Sequence, residues 1–111
     1  MTLSRRQLLL AALPLASTAR AQGGPTVIWS GFPPGGLGDQ VTRPLLDRLK
    51  GRFATPLLLD SKAGAGGRIA ADFVKRAVPD GSVLLQVPSS PIALYPHTYG
   101  RKLSYDPLAD F

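Results

Sequence analysis

The stretch Gly31-Phe32-Pro33-Pro34-Gly35-Gly36-Leu37-Gly38-Asp39 holds four glycines and two prolines in nine residues, one residue after the apolar run Val27-Ile28-Trp29. A second stretch of the same kind, Ser61-Lys62-Ala63-Gly64-Ala65-Gly66-Gly67, follows Leu57-Leu58-Leu59. Glycine allows a backbone to approach a ligand with no Cβ in the way. Where such a loop opens a helix, the first-turn N–H groups have no intrahelical acceptor and carry the positive end of the helix dipole. That is chemistry for an anion, carboxylate or phosphate. One charge-assisted hydrogen bond contributes roughly 1.5–3 kcal/mol net. Three or four of them reach the about −8 kcal/mol of micromolar binding.

Other chemistries fit less well. A Walker loop needs Gly-Lys-Ser/Thr, which the sequence lacks. Gly64-Ala65-Gly66-Gly67-Arg68-Ile69 mimics the start of a dinucleotide fingerprint, but its sixth position is Ile69, not Gly or Ala. No acid lies near the end of the following strand to hold a ribose hydroxyl. His97 is the only histidine, and glutamate is absent. There is no Gly-x-Ser-x-Gly and no metal-ligand spacing. Ser89 and Ser90 with His97 read as loop serines and a surface histidine rather than a nucleophile pair, so no catalytic residue, metal or cofactor is expected. The cations are scattered, with no basic run interleaved with aromatics, which argues against nucleic acid.

The elements that must position these loops follow from the apolar pattern. Thr26–Ser30 reads as a short buried strand. Val41, Leu45, Leu46 and Leu49 recur at helical spacing, with Asp39 as the expected N-cap. Pro44 then lies five residues inside, so either the helix begins nearer Thr42 or it kinks. Gly51-Arg52-Phe53 closes the helix. Pro56–Leu59 is a second strand. Ile69, Ala70, Phe73, Val74 and Ala77 form a second helical stripe. Pro79-Asp80-Gly81 is a turn. Ser82–Val87 is a third strand, and Pro88-Ser89-Ser90-Pro91 a third loop. A short helical turn within 92–100 is expected to be broken by Pro96. Strands alternating with helices predict an α/β fold with a parallel sheet. All three loops then fall at the carboxyl edge of the strands, where ligands bind.

The first 21 residues have the three parts of an export signal. Arg5 and Arg6 are basic, Leu8–Ala16 is apolar, and Ala19-Arg20-Ala21 is a cleavage site before Gln22. The apolar part covers about 14 Å as a helix, far short of a bilayer core. Ser4-Arg5-Arg6-Gln7-Leu8-Leu9 also resembles a twin-arginine signal, so Sec and Tat export both stay open. Either route predicts a bacterial periplasmic protein cleaved after Ala21. Loss of Arg5, Arg6 and Arg20 lowers the net charge from +6 to +3. With no cysteine, an exported chain depends on its core alone. The expected organisation is 1–21 as signal and 22–111 as one domain.

Phe32-Pro33-Pro34-Gly35-Gly36-Leu37-Gly38-Asp39, with Arg43 beyond it, resembles the PGGxxD…R signature of the Bug (TctC-type) family. These are substrate-binding proteins of tripartite tricarboxylate transporters. Gly64-Ala65-Gly66-Gly67 with Ala70-Ala71 resembles that family's second loop. Pro79-Asp80-Gly81 and Tyr105-Asp106-Pro107…Asp110-Phe111 match as well, in order and at family spacing. The resemblance implies a periplasmic-binding-protein (type II, Venus-flytrap) fold whose two lobes close on a carboxylated solute. Residues 22–111 would be part of its N-terminal lobe.

The resemblance also implies a site. In the family the two glycine-rich loops hold a carboxylate through backbone N–H groups and bridging waters. Here those loops are Pro34, Gly35, Gly36, Leu37, Gly38 and Asp39, and Ala63, Gly64, Ala65, Gly66 and Gly67. Asp39 is tied in the family to ligand selectivity. Ser89 and Ser90 would add hydroxyl contacts. The implied partners are a di- or tricarboxylate or related acid, the membrane components of the transporter and, for some relatives, a sensor protein. Family members are considerably longer, so the chain is expected to be either a fragment or a truncated product. Two further classes stay open: a nucleotide-binding domain of an exported enzyme, and a non-transport interaction module.

Overall fold

The computed structural model describes residues 23–111. The export signal expected over 1–21 lies outside the described residues. Three parallel strands, β1 (Thr26–Ser30), β2 (Leu57–Ser61) and β3 (Val83–Gln86), form one sheet in the order β2-β1-β3. Helix α1 (Leu37–Leu49) joins β1 to β2, and α2 (Arg68–Lys75) joins β2 to β3. The expected alternation and parallel sheet are therefore present.

The strand order dictates the layers. Both crossovers are right-handed by rule. One runs from β1 to one side and the other returns past β1 to the opposite side, so the helices fall on opposite faces. Side chains alternate along a strand, and the contacts agree. Trp29 meets Phe73 of α2 edge to face, with ring centroids 4.7 Å apart. Ser30, on the other face, lies under α1, where a Cβ at Gly38 would sit 2.9 Å from its Oγ. Gly38 is the one α1 residue at which only glycine permits this approach. Ala70 and Ala71 of α2 are fully buried; their small side chains let that helix lie close to the sheet.

Three expectations about helices need correction. The N-cap of α1 is Gly36, not Asp39. Gly36 is extended, with φ −79° and ψ −167°, and its carbonyl accepts from Gln40 N–H at 3.2 Å. Asp39 stands at the third helical position and works backward from there. The helix thus starts earlier than Thr42 and runs on through Pro44, which leaves the Gln40 carbonyl without its usual donor. Pro96 does not break the third helix, α3 (Tyr95–Tyr99); it sits in its first turn. A π-helical turn, Ser90–Leu94, precedes α3, and a 3₁₀ turn, Gly100–Lys102, follows it.

The tail of the sequence, which has no feature predicting its course, folds back on α2. Lys75 Nζ donates to the Ser104 carbonyl at 2.7 Å and pairs with Asp110 at 2.9 Å. The Ser104 hydroxyl donates to the Asp72 carboxylate. Tyr105 is buried and meets Phe111 with ring centroids 5.7 Å apart. Among the described residues no helix is long and apolar enough to cross a membrane.

Candidate functional site

Register brings the three loops to one level. Ser30 of β1 aligns with Ser61 of β2 and with Gln86 of β3, so all three strands end together. The loops then lock against one another. Gly31 N–H donates to the Gln86 carbonyl and Lys62 N–H to the Ser30 carbonyl, both at 2.8 Å. Ser61 Oγ donates to the Phe32 carbonyl. A Cβ on Gly31 would lie 2.9 Å from both Gly67 Cα and Val87 Cγ1. A Cβ on Gly67 would crowd Pro88 and Pro91. First, second and third loops meet around this pair of glycines, beside the β1–β3 boundary where the chain reverses its winding. Such a switch point is where open α/β sheets bind ligands.

The first loop is built around Asp39. Its buried carboxylate accepts from Gly35 N–H at 2.9 Å and from Arg43 Nη2 at 2.9 Å and Nε at 3.2 Å. The Gly35 bond, then Arg43, holds the carboxyl below its ordinary value of 3.8, because both favour the charged form. Gly36 N–H donates to the Pro33 carbonyl at 3.0 Å. The amides of Gly35 and Gly36 are thus used inside the loop. The open donors are the first-turn N–H groups of Leu37, Gly38 and Asp39, none of which bonds to another group among the described residues. Pro34 is exposed and stiffens the loop before them.

The second loop turns through a run of left-handed residues: Gly64 (φ 138°), Ala65 (φ 48°), Gly66 (φ 64°) and Gly67 (φ 94°). Three are glycine, which this conformation favours. Ala65 is the non-glycine residue with positive φ among those described. Gly67 N–H closes the turn on the Gly64 carbonyl at 2.9 Å. The N–H groups of Ala63, Gly64, Ala65 and Gly66 bond to no other group among the described residues. In the third loop, Ser89 and Ser90 open the π-helical turn above Pro91. No hydrogen bond joins either serine to the exposed His97. Among the described residues no three His or Asp side chains gather as a metal site would require.

Four contributors escape a reading of motifs alone. Gln86 Nε2 donates to the Gly38 carbonyl at 3.2 Å, tying β3 to the start of α1, while its Oε1 is buried without a partner. It is the polar residue that ends an apolar strand, a legible signal. The Tyr95 hydroxyl lies directly against Gly66. Its ring meets Tyr99 edge to face at 5.2 Å, a pair foreshadowed by its i, i+4 spacing. Arg68 lies against both rings. The Tyr105 hydroxyl donates to the Pro91 carbonyl at 2.9 Å in a buried bond, so the tail holds the third loop.

Comparison with known proteins supplies the context. The family model described as the tripartite tricarboxylate transporter family receptor, TctC, matches residues 41–111. A UPF0065 protein in the gbd 5′ region of Cupriavidus necator is 32% identical over 102 residues, covering 91% of this chain and 30% of that protein. Protein BugT of Bordetella pertussis is 38% identical over 64 residues, 57% of this chain and 20% of its own length. A solved structure described as that of a periplasmic transporter superposes with a TM-score of 0.69 and 33% identity over 77% of this chain and 28% of the other. The chain spans about a third or less of the length of these relatives. Its architecture is that of a partial periplasmic-binding-protein lobe, α/β with a parallel sheet.

Proposed function

Because the chain belongs to the tripartite tricarboxylate transporter receptor family, we propose that it is the solute-capturing part of a periplasmic receptor, with a carboxylated organic acid as the solute. Residues 1–21 serve as the export signal, cleaved after Ala21. Residues 22–111 form part of the first lobe, and the bound acid is passed to membrane components of a transporter without chemical change. The observation that carries the reading is the meeting of two glycine-rich loops, each with open backbone N–H donors, at the carboxyl ends of three aligned strands. Donors of this kind favour a compact anion. Asp39 shapes the first loop rather than facing the solute carboxylate, which its own charge would repel. Ser89 and Ser90 add hydroxyls from the third loop.

Gly36→Val tests the reading. Its added Cβ would press on the Pro33 carbonyl, 2.9 Å away, and displace the first-turn donors while leaving the sheet alone. Calorimetric titration of the native exported product with acetate, succinate and citrate should show binding. The variant should lose it by at least about tenfold, the worth of one charge-assisted contact, with an unchanged circular-dichroism spectrum. Equal affinity in the folded variant would sink the assignment of the first loop. Binding of adenine nucleotides in place of any carboxylate would move the chain to another functional class.

A further inference from the structure

Beside the second loop stands a cation held in place but not neutralised. The Arg68 guanidinium lies 4.4 Å from the Tyr99 ring centroid and 5.9 Å from that of Tyr95. Its Nε donates to the Ala65 carbonyl at 3.4 Å. Its two terminal nitrogens bond to nothing among the described residues, and it joins no ion pair there. Arg43, by contrast, is engaged by Asp39. Arg68 also lines a cleft of about 290 Å³ that starts at Ala65 and passes Asp72, Lys102 and Ser104. Within it the Asp72 carboxylate accepts from the Ser104 hydroxyl and keeps its negative charge, set against the two cations of the same cleft, Arg68 and Lys102.

We propose that Arg68 is a specificity-determining residue that receives a second acidic group of the solute, while the glycine loops hold the first. The inference rests on the carboxylate reading given above and extends it to a named side chain. Three physical features carry it. Cation–π contact with Tyr99, and at longer range with Tyr95, restrains the guanidinium, so less side-chain freedom is lost when it binds. The open edge of the guanidinium matches a carboxylate through two parallel N–H bonds. The Nε bond to Ala65 keeps the fork next to the loop donors, so one small molecule with two acid groups can reach both. A monocarboxylate would use the loops alone.

The test compares acetate, succinate and citrate on the native exported product and on its Arg68→Gln and Arg68→Lys variants, by calorimetric titration. Succinate and citrate should each lose about tenfold in affinity in Arg68→Gln, the size of one charge-assisted contact, with acetate unchanged. Arg68→Lys should fall between, since it keeps the charge but not the fork. Equal losses for acetate and succinate, or no loss for succinate while wild-type binding persists, would overturn this inference and leave the carboxylate reading intact. A wild-type protein that binds none of the three acids would overturn both. Thermal melts confirm that the variants are folded.

Discussion

At the scale of single residues, Asp39 has the most to do. It sits at the third position of α1, yet its carboxylate reaches back past the N-cap to Gly35 and forward to Arg43. Its aspartate identity and its place near a helix start are plain in the sequence. Which N–H it takes is not, because that depends on where the chain turns at Gly36. Its lowered pKa has a consequence for acid stability. The stabilising contribution is present above the unfolded value near 3.8 and is lost as pH falls through the depressed folded value. Asp80, through Ser82, and Asp110, through Asp106 and Lys75, are lowered too. Asp39→Asn should therefore shrink, without abolishing, the drop in urea midpoint between about pH 7 and about pH 3. An undiminished drop would show that the carboxylate does not hold the loop.

At the scale of elements, the second loop and α3 depend on one another. Gly66 has φ 64°, and a Cβ there would enter the space of the Tyr95 hydroxyl. Gly66→Ala should cost about 2 kcal/mol or more, from the left-handed backbone and the overpacking together. Tyr95→Phe in the same chain should recover part of that loss, because it removes the crowding oxygen. Urea titration of the two single variants and the double variant measures the coupling; strict additivity would mean that the loop and helix do not touch as described. The helices also show where apolar periodicity misleads. Leu37, Val41 and Leu45 repeat at helical spacing, yet they are 64%, 60% and 51% exposed. Gly38 and Thr42, one residue further round, are buried instead. Gly38, which approaches Ser30 of the sheet, has no side chain to reveal it.

At the scale of the whole described chain, residues distant in sequence hold the site edge together. Tyr105 reaches from the tail to the third loop, and its hydroxyl pins the Pro91 carbonyl. Tyr105→Phe should cost about 1 kcal/mol in urea unfolding at neutral pH. Burial, with Asp72 nearby, raises the Tyr105 pKa above 10.0. The stability held by the protonated phenol is complete below the unfolded value near 10.0 and is lost as pH rises through the raised folded one. The variant should lack that alkaline decline; retaining it in full would assign the decline elsewhere. The same scale exposes what each helix leaves bare. α2 covers the Trp29 face over β1 and β3, and Leu58 of β2 on that face is 49% exposed. α1 packs on β2 across the opposite face, and Leu84 of β3 is 41% exposed.

The sequence by itself determined the local features. Apolar runs of four to six residues between glycine and proline breaks marked the three strands. Their alternation with helical stripes required parallel pairing, and the glycine-rich stretches marked the loops at the carboxyl edge. These follow from side-chain periodicity and backbone freedom, which are properties of neighbouring residues. Tertiary structure alone decided the strand order β2-β1-β3, the use of the Gly35 and Gly36 amides within their own loop, the seat of the Tyr95 hydroxyl on Gly66, and the return of the tail onto α2. Each of these joins groups through space. Their outcome rests on register and close packing, which no stretch of the chain encodes on its own.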